Sequence, residues 1–372
     1  MEPPPLLPLP LEQLPAALQR FCNPQGPTPA RLMAAKGLVP VRGADQITML
    51  AQLASDPEEQ VSATALDSLL TLPETVMQAA CDAALPPAVL HFLARILKNQ
   101  DLLGRVIANN VTLDVTVEEI ARGCSETLSE RIAVNEQRLL RAPTIIEALY
   151  KNRNTRMSTA DRLIELAARN GVVLHGIPSF DAVVEAVQSQ LIPEPSDEPL
   201  PQDLVFQTSL SADKDENAYQ EDKGAGLEEV KKEYKPLNMQ ILEMSKSEKL
   251  RLSLVGSMAA RAILVRDHNK QVAMAAIQSP QLTVGEAGEI ARSKEVAEDI
   301  LRYIGNKKEW IKSSEVKHNL CFNPKTPVGI SMRFISHLRM EELKGLAKNR
   351  NVPAQLKSMA TQWIQRKEKK DG

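Results

Sequence analysis

Residues 323–327 read NPKTP and are followed at 328–349 by VGISMRFISHLRMEELKGLAKN. Asn323 tolerates the left-handed backbone that ends many helices, and the ring of Pro324 cannot continue a helix. Thr326 is a preferred N-cap residue, and Pro327 suits the first position of a helix. The segment therefore predicts the end of one helix, a tight polar turn and the start of the next. Apolar residues spaced for a buried helical face follow it: Ile335, Leu338, Met340, Leu343 and Leu346.

The chain contains an internal duplication. Glu119-Ile-Ala-Arg122 recurs as Glu289-Ile-Ala-Arg292 at an offset of 170, and Asn152 corresponds to Asn323 at an offset of 171. The segments of about 103–167 and 273–338 are therefore interpreted as copies. Corresponding residues, such as Asn152 and Asn323 or Glu119 and Glu289, are expected to lie in the same helical context.

A shorter unit of 26 residues repeats within the copies. Arg105-Val-Ile-Ala-Asn109 is echoed by Arg131-Ile-Ala-Val-Asn135, and Asn323 is followed 26 residues later by Asn349. Periods of this size are typical of stacked helical repeats, in which each unit buries its apolar face against its neighbours. The recurring asparagine is interpreted as a structural carboxamide that pairs backbone groups at helix ends.

Helix starts are legible at three further places. Thr283-Val-Gly-Glu286, Thr116-Val-Glu-Glu119 and Ser158-Thr-Ala-Asp161 have the spacing of a capping box, in which the first and fourth residues pair with each other's backbone, or a similar spacing. No segment alternates in a way that requires a sheet. The sequence predicts an all-α protein.

The segment 316–352 resembles the leucine-rich-repeat-variant class of helical repeats. Leu53-Ala-Ser-Asp-Pro57, with Val61 and Ala65, is similar to a HEAT unit, in which an Asp-Pro turn joins two antiparallel helices. The two resemblances cover about 44–72, 86–185 and 240–368, with gaps. They imply an α-solenoid in two blocks. The leucine-rich-repeat-variant class can carry an N-terminal cysteine cluster for an iron–sulfur centre, and this chain lacks such a cluster.

Composition sets the class of protein. Aromatic residues make up only 3% of the 372 residues, so Leu, Ala, Ile and Val must fill the interior. Four cysteines lie far apart with no CxxC, which indicates neither a zinc site nor a disulfide framework. No stretch approaches the roughly 20 apolar residues of a membrane span. A cytoplasmic protein without membrane insertion, metal or other cofactor is expected.

Proline and charge divide the chain into four segments. A proline-rich, extended and solvated arm is expected over 1–40, and an N-terminal helical-repeat domain over 41–190. An acidic disordered linker is expected over 191–237, where there are 12 acidic and 5 basic residues. A basic C-terminal helical-repeat domain follows over 238–372, with 24 basic and 14 acidic residues and a net charge of +10. The acidic linker could compete with an anionic partner for this domain, although plain solubilisation explains the same charges.

The candidate binding residues lie in the basic domain. Four of them surround Trp310, which is itself interpreted as a core residue, and two follow in the next unit. The six residues are Lys307, Lys308, Lys312, Lys317, Lys325 and Arg333. Stacked repeats bring equivalent positions side by side, so these cations could form one surface that meets phosphates or an acidic peptide. A dispersed solvated face is the alternative.

No catalytic signature is present. The chain has no Gly-rich phosphate loop, HExxH, GxSxG or cysteine–histidine pair of known spacing, and adjacent carboxylates such as Glu118 and Glu119 are interpreted as solvated faces. We therefore expect a non-enzymatic scaffold or adaptor that binds a protein or peptide along a helical-repeat surface. The alternative is nucleic-acid or anionic-ligand binding through residues 238–372, and an enzyme with unrecognised residues is the third hypothesis.

Overall fold

A computed structural model describes residues 6–196, 198–211 and 237–371. Over these residues the protein is all-helical and contains no strand, as the sequence predicts. The chain divides into two compact units, Met1–Leu174 and His175–Gly372. The interior consists mainly of Leu, Ile, Val and Ala side chains, with few aromatic residues among them.

The described part of the first unit begins with the 3₁₀ turn Leu11–Gln13 and continues with short α-helices. Their bounds are α1 Ala16–Cys22, α2 Thr28–Ala35, α3 Gly43–Leu53, α4 Glu59–Leu70, α5 Glu74–Asp82, α6 Pro87–Ile96, α7 Gln100–Ala108, α8 Asp114–Ala121, α9 Glu126–Ala133, α10 Glu136–Arg141, α11 Thr144–Lys151 and α12 Met157–Arg169.

These helices contact one another in two rows. One row runs through α3, α6, α8 and α11, and the other runs through α5, α7, α9 and α12. The turn that contains Asp56 and Pro57 joins α3 to α4, and these two helices pack together. Contacts also cross between the rows, as between α11 and α12, and α3 packs against α4, which belongs to neither row.

The second unit is built from helices of similar length, with 3₁₀ turns at Trp310–Lys312 and Ile335–His337. Their bounds are α13 Phe180–Gln188, α14 Pro201–Ser211, α15 Leu237–Glu243, α16 Lys246–Val255, α17 Met258–Leu264, α18 Lys270–Ile277, α19 Val284–Arg292, α20 Glu298–Asn306, α21 Ser314–Phe322, α22 Val328–Phe334, α23 Met340–Lys348 and α24 Ala354–Asp371.

Two rows are present here as well. Helices α15, α17, α19, α21 and α23 contact in that order, and α16, α18 and α20 form the start of the other row. The second row continues through α22 to α24, because Arg333 on α22 donates a hydrogen bond to the carbonyl of Gly305 on α20 and α22 packs against α24.

Asparagine side chains connect neighbouring helices at equivalent turns. Asn109, Asn152 and Asn323 each follow the last residue of a helix, and the side-chain Nδ2 of each donates to two backbone carbonyls of an earlier turn. Asn152 reaches the carbonyl of Ala121, and Asn323 reaches the carbonyl of Ala291, at distances of 3.0 and 2.7 Å. Ala121 on α8 and Ala291 on α19 are 170 residues apart, which is the separation of Glu119 and Glu289 on the same two helices.

The asparagine echo is imperfect in one place. Asn135 does not end a helix; it precedes α10 and accepts a hydrogen bond from the backbone N–H of Arg138 as an N-cap. The prediction that Asn109 and Asn135 are equivalent is therefore wrong. A one-residue difference changes the role because Val134, not Asn135, takes the C-cap position of α9.

Many other long-range polar contacts have similar sequence separations, between 25 and 32 residues. Examples in both units are Arg31–Asp56, Thr144–Glu118, Arg141–Asp114, Arg261–Glu286 and Arg333–Gly305. The Arg261–Glu286 pair is buried, with its closest N···O distance at 2.7 Å. The polar contacts thus join each turn to the next turn of the same unit.

Helix starts agree with the sequence in part. The capping box of Thr283 and Glu286 is confirmed. Thr116 and Ser158 instead lie inside α8 and α12, where other residues begin the helix. Helix α22 begins at Val328, one residue later than predicted, and Thr326 forms no cap there.

The prediction of an extended, solvated N-terminal arm over residues 1–40 is wrong from residue 11 onward. Residues 11–35 form a 3₁₀ turn and two helices, and Leu14 and Leu18 are buried. Leu9 is also held, because its backbone exchanges two hydrogen bonds with the side chain of Gln52. Prolines are compatible with this arrangement, since Pro15 and Pro27 precede α1 and α2 and need no donor there.

The expected linker and domain boundary also differ from the structure. The boundary falls after Leu174, so α13 belongs to the second unit and packs against α16. Residues 201–211, within the predicted linker, form α14, and its Phe206 is fully buried against Arg251. The remainder of the predicted linker, residues 212–236, lies outside the described residues.

The asparagine contacts give a stability prediction. Asn323→Ala removes two donors and leaves the carbonyls of Ala291 and Ser293 without a partner, so we expect a loss of about 1–3 kcal/mol in the free energy of unfolding. The matched control is Asn349→Ala. Asn349 also follows a helix, but its described side-chain hydrogen bond is the local one from the N–H of Asn351. We expect its loss to be about 0.5 kcal/mol or less. Urea unfolding of both variants, followed by circular dichroism, measures the difference. Equal losses would contradict the assigned role.

Candidate binding surface

Positive charge is concentrated near the C-terminal end of the second unit. From residue 300 onward there are 16 basic and 6 acidic residues. The net charge of +10 over 238–372 therefore arises entirely after residue 300, in the part of the chain that forms α20–α24 and the turns between them.

Four of the predicted site residues lie around the turn that leads from α20 to α21. Lys307 follows the last residue of α20, Lys308 is next, Lys312 ends the 3₁₀ turn, and Lys317 is in the first half of α21. We call these four residues the lysine cluster. Lys308 and Lys312 are exposed, and Lys307 and Lys317 are half-buried.

An aromatic pair supports the lysine cluster. Trp310 is buried with 3% of its surface exposed, as predicted, and packs edge-on against Tyr303 with ring centroids 5.9 Å apart. The Nζ of Lys307 lies 4.2 Å from the Trp310 ring centroid. The tryptophan therefore fixes the turn and attracts the Lys307 ammonium, but it offers little open surface for stacking a base.

The lysine cluster lacks ion-pair partners. Within the described residues, no carboxylate lies within ion-pairing distance of any of the four ammonium groups, although Glu309 and Glu315 are close in sequence. Many arginines of the first unit do pair with carboxylates, whereas its lysines, Lys36, Lys98 and Lys151, form no ion pair within the described residues. The paired arginines are Arg31 with Asp56, Arg105 with Asp82, Arg122 with Glu118, Arg141 with Asp114, Arg156 with Glu126 and Arg162 with Glu130. The four lysines are available to an external anion.

Arg333 lies at the same end of the helices but has a different role. Its Nη2 donates to the backbone carbonyl of Gly305 and to the Oδ1 of Asn306, at 2.5 and 3.0 Å. The guanidinium therefore caps the C-terminal end of α20, where carbonyls have no intrahelical partner. The structure brings Arg333 close to Lys307 but uses its donors within the protein.

Lys325 is separated from the cluster. It lies in the turn after α21, whereas Lys312 lies before that helix, and a helix of nine residues places them about 13 Å apart along its axis. The six predicted site residues therefore do not form one patch.

A cavity of about 680 Å³ lies beside Lys325. Pro324, Pro327, Pro353, Val328 and Ala297 form its apolar wall, and Lys325, Thr326 and Glu298 provide its polar groups. The Glu298 carboxylate is paired with Arg302 at 2.5 Å. The sequence indicated Lys325 as a site residue and Thr326 only as a helix cap. Pro324, Pro327 and Pro353 were the sequence feature that could have indicated an apolar wall here.

The four cysteines and His91 have buried side chains. Burial raises the pKa of Cys22 and Cys321 to about 12 and that of Cys81 and Cys124 to about 11, so these thiols stay protonated near neutral pH. Burial also lowers the pKa of His91, which contacts Thr116 and Glu119. In the described ranges, no group of three or more His, Cys, Asp or Glu side chains could hold a metal ion.

One carboxylate differs from its predicted environment. Glu118 is 6% exposed, pairs with Arg122 and accepts a hydrogen bond from Thr144. It is not part of a solvated face, because the next turn of the row covers it. Glu119 is partly exposed and pairs with Arg95.

Comparison with known proteins gives no family. No family model matches the chain, and no curated protein matches it. None of the helices in the described ranges combines the length and apolarity needed to cross a membrane.

The two roles at this end of the helices can be separated by substitution. Arg333→Ala removes the cap of α20, and we expect a loss of about 0.5–1 kcal/mol in the free energy of unfolding. This loss is smaller than that for a buried charged hydrogen bond, because the Arg333 side chain is exposed to solvent. Lys312→Ala should change stability by less than about 0.5 kcal/mol. Thermal unfolding measures both variants, and a Lys312→Ala loss equal to that of Arg333→Ala would show that the lysine is also structural.

Proposed function

We propose that this protein is a non-enzymatic scaffold that binds a protein or peptide partner, and that the lysine cluster contacts an acidic segment of that partner. The observation that carries the proposal is the concentration of four lysines within residues 307–317, none of which forms an ion pair with a described carboxylate. Carboxylates of an acidic segment would supply the missing counter-charges. Such complementarity speeds association and favours acidic over basic partners.

The architecture supports this proposal. The two rows of short helices and the polar contacts over 25–32 residues are what an α-solenoid of HEAT-like and leucine-rich-repeat-variant-like units would have. Solenoids present long continuous surfaces, on which a partner segment can lie across several turns. We propose this repeat architecture for both units. A cytoplasmic location is part of the proposal, because all four cysteines are free and buried.

Nucleic acid is the second candidate, supported by the same lysines. Lysine is a point charge that binds phosphate without reading a base edge. The neighbouring Trp310 is buried and the donors of Arg333 are engaged with α20, so neither is available for stacking or for paired hydrogen bonds to a base. These features favour an acidic protein segment over nucleic acid. Duplex backbone binding is the form of the alternative that these residues permit.

The test uses the full chain and three fluorescent probes: a twelve-residue glutamate-rich peptide, a DNA duplex and a DNA single strand. We expect the peptide to bind at low salt and the K307E/K308E/K312E/K317E variant to lose that binding, because the charge at the surface is reversed. Fluorescence anisotropy at several salt concentrations measures the affinities. Stability should change little, since solvated lysines contribute little to it.

The matched control reverses four exposed lysines elsewhere in the chain, K36E/K98E/K151E/K294E, and makes the same change in net charge. This variant should keep peptide binding. Equal losses in both variants would mean that net charge alone drives the interaction and would contradict a site. Tight duplex binding with a log–log salt slope that falls by about 0.9 per removed lysine would support the nucleic-acid candidate instead.

A further inference from the structure

Large apolar side chains are exposed along one helix row of the second unit. The row runs through α15, α17 and α19 and continues to α21, where the lysine cluster lies. Met239 and Leu242 on α15, Met258 on α17 and Val284 on α19 are between 42% and 72% exposed. We call these four residues the apolar stripe. After Val284, every large apolar side chain in the described residues is buried or half-buried. Apolar exposure along the row therefore ends where the lysine cluster begins.

Two residues of the apolar stripe occupy equivalent positions. Met258 is the first residue of α17 and Val284 is the first residue of α19, 26 residues later. Arg261, the fourth residue of α17, pairs with Glu286, the third residue of α19, so the starts of these two helices lie side by side. Apolar residues that are exposed singly need no explanation, but an exposed position that recurs on neighbouring helices indicates a surface.

The same row brings Val284 next to the lysine cluster. Asn319 and Asn323 donate through Nδ2 to the carbonyls of the fifth and eighth residues of α19, at 2.9 and 2.7 Å. These contacts have offsets of 31 and 32 residues, so α19 and α21 run side by side in the same direction. Continued toward the helix starts, the same offset places Val284 level with the first turn of α21. Lys312 lies immediately before that turn.

The charge beside the apolar stripe is positive. Residues 307–317 contain four lysines and two glutamates, which gives a net charge of +2. The two glutamates, Glu309 and Glu315, form no ion pair with these lysines within the described residues. A partner that covers the apolar stripe would bring its adjoining residues to this charge, and acidic residues are favoured there.

The row suits a helical partner better than an extended one. An extended segment is held by main-chain hydrogen bonds, typically to the edge of a sheet. The described residues contain no strand, and the amide donors of Asn319 and Asn323 are used on carbonyls of α19. An amphipathic helix pairs its own backbone groups and presents one apolar face, which matches a surface made of exposed side chains.

We propose that the apolar stripe and the lysine cluster together bind an amphipathic helix of a protein partner, apolar along one face and acidic at one end. Neighbouring helices pack about 8–10 Å apart, and a helix rises about 1.5 Å per residue. One step along the row therefore corresponds to about seven residues of the partner, close to two helical turns. Apolar residues at this spacing would meet α15, α17 and α19, and acidic residues about seven positions further on would meet the lysine cluster.

The inference rests on the proposed function in taking the lysine cluster as the contact for an acidic protein segment. It adds the apolar stripe as a second contact and a helical form for that segment. The stripe and the cluster lie on successive helices of one row, so a single helix can cover both.

The test uses the full chain and fluorescent helical peptides of about 28 residues. Each has leucines spaced by seven on one face and four glutamates at one end. One peptide carries the glutamates at its C-terminus and the other at its N-terminus, because the surface accepts a helix in either direction. Each has a control of the same composition with the glutamates in place and the leucines distributed around the helix. Fluorescence anisotropy measures the affinities.

We expect at least one helical peptide to bind at least about tenfold more tightly than its control, because only the helical peptide can bury its leucines on the apolar stripe. Equal affinities of peptide and control in both directions would overturn the proposal.

Four substitutions assign the binding to the apolar stripe. M239S/L242S/M258S/V284S should reduce the affinity for the helical peptide at least about tenfold, to that of its control, and should leave binding of the glutamate-rich peptide unchanged. The retained binding and an unchanged urea midpoint show that the variant is folded. The smaller variant M258S/V284S should weaken binding in the same direction.

The matched control replaces four exposed apolar residues of the first unit, in the variant M33S/L38S/L70S/V134S. This variant should bind the helical peptide as the wild type does. Equal losses in the two variants, or an unchanged affinity of the stripe variant, would overturn the proposal.

Failure of this inference differs from failure of the proposed function. If the lysine cluster binds no acidic segment, the K307E/K308E/K312E/K317E variant keeps the affinity of the wild type for both kinds of peptide. If only the apolar stripe is wrongly assigned, that variant weakens both interactions and the stripe variant weakens neither.

Two other occupants of the stripe give their own results. A dimer of the wild type in sedimentation experiments that the stripe variant abolishes would assign the stripe to a second copy of this chain. Residues 212–236 lie outside the described residues, and a variant with a Gly–Ser segment in their place tests them. Binding of the helical peptide at least about tenfold more tightly by that variant would assign the stripe to this segment. Either result would overturn the assignment to a partner helix.

Discussion

The backbone groups at the ends of short helices impose the main constraint on this structure. Helices α1–α23 have between 6 and 13 residues, lengths at which isolated helices are marginal in water. Each turn also leaves carbonyls without an intrahelical partner. Asn109, Asn152 and Asn323 satisfy such carbonyls in a neighbouring turn, each with two hydrogen bonds from one side chain. The same hydrogen bonds therefore complete the helix ends and hold neighbouring turns together.

This constraint also determines where charge remains available. In the first unit, pairs such as Arg141–Asp114 and Arg156–Glu126 join turns that are about one period apart, so their charges are used within the fold. In the second unit, Arg261 and Arg333 act in the same way. The lysines at 307, 308, 312 and 317 have no such partner among the described residues. The proposed partner surface is thus a local concentration of lysines without ion pairs, whereas Lys36, Lys98 and Lys151, which also form none, stand far apart in the sequence.

The cavity beside Lys325 follows from the same turn in a modified form. The asparagine contacts are retained at Asn323, but Ser331 takes the carbonyl that a threonine uses in the earlier turn. The lysine cluster lies near the start of α21, and the cavity beside Lys325 lies after its end.

The helical class could be predicted from sequence because local chemistry decides it. The asparagine turns were predicted only as helix ends, because the Asn323 backbone is extended and not left-handed, and its side chain bonds to Ala291 and Ser293 about 30 residues earlier. The capping box at Thr283 and the burial of Trp310 are local in this sense. The first 40 residues could not be predicted by composition, because their prolines precede helices whose leucines pack on later ones. The same holds for α14, whose Phe206 is buried by tertiary packing in a segment that reads as a linker.

The candidate site was predictable only in part. Lysine spacing indicated the cluster around Trp310, but sequence alone did not show that Arg333 is engaged with Gly305 or that Lys325 lies beyond the far end of α21. The burial of Thr326 behind this turn was also not visible in the sequence, which assigned the residue to a helix cap.

The central claim is that each turn is stabilised mainly by neighbouring turns of the same unit, and hydrogen–deuterium exchange of the full-length Asn152→Ala variant tests it most directly. Asn152 donates from α11 to the turn after α8, so the account predicts faster exchange in α8, α11 and α12 with little change in α2–α4. Equal acceleration throughout α1–α12, or none in any of them, would contradict it.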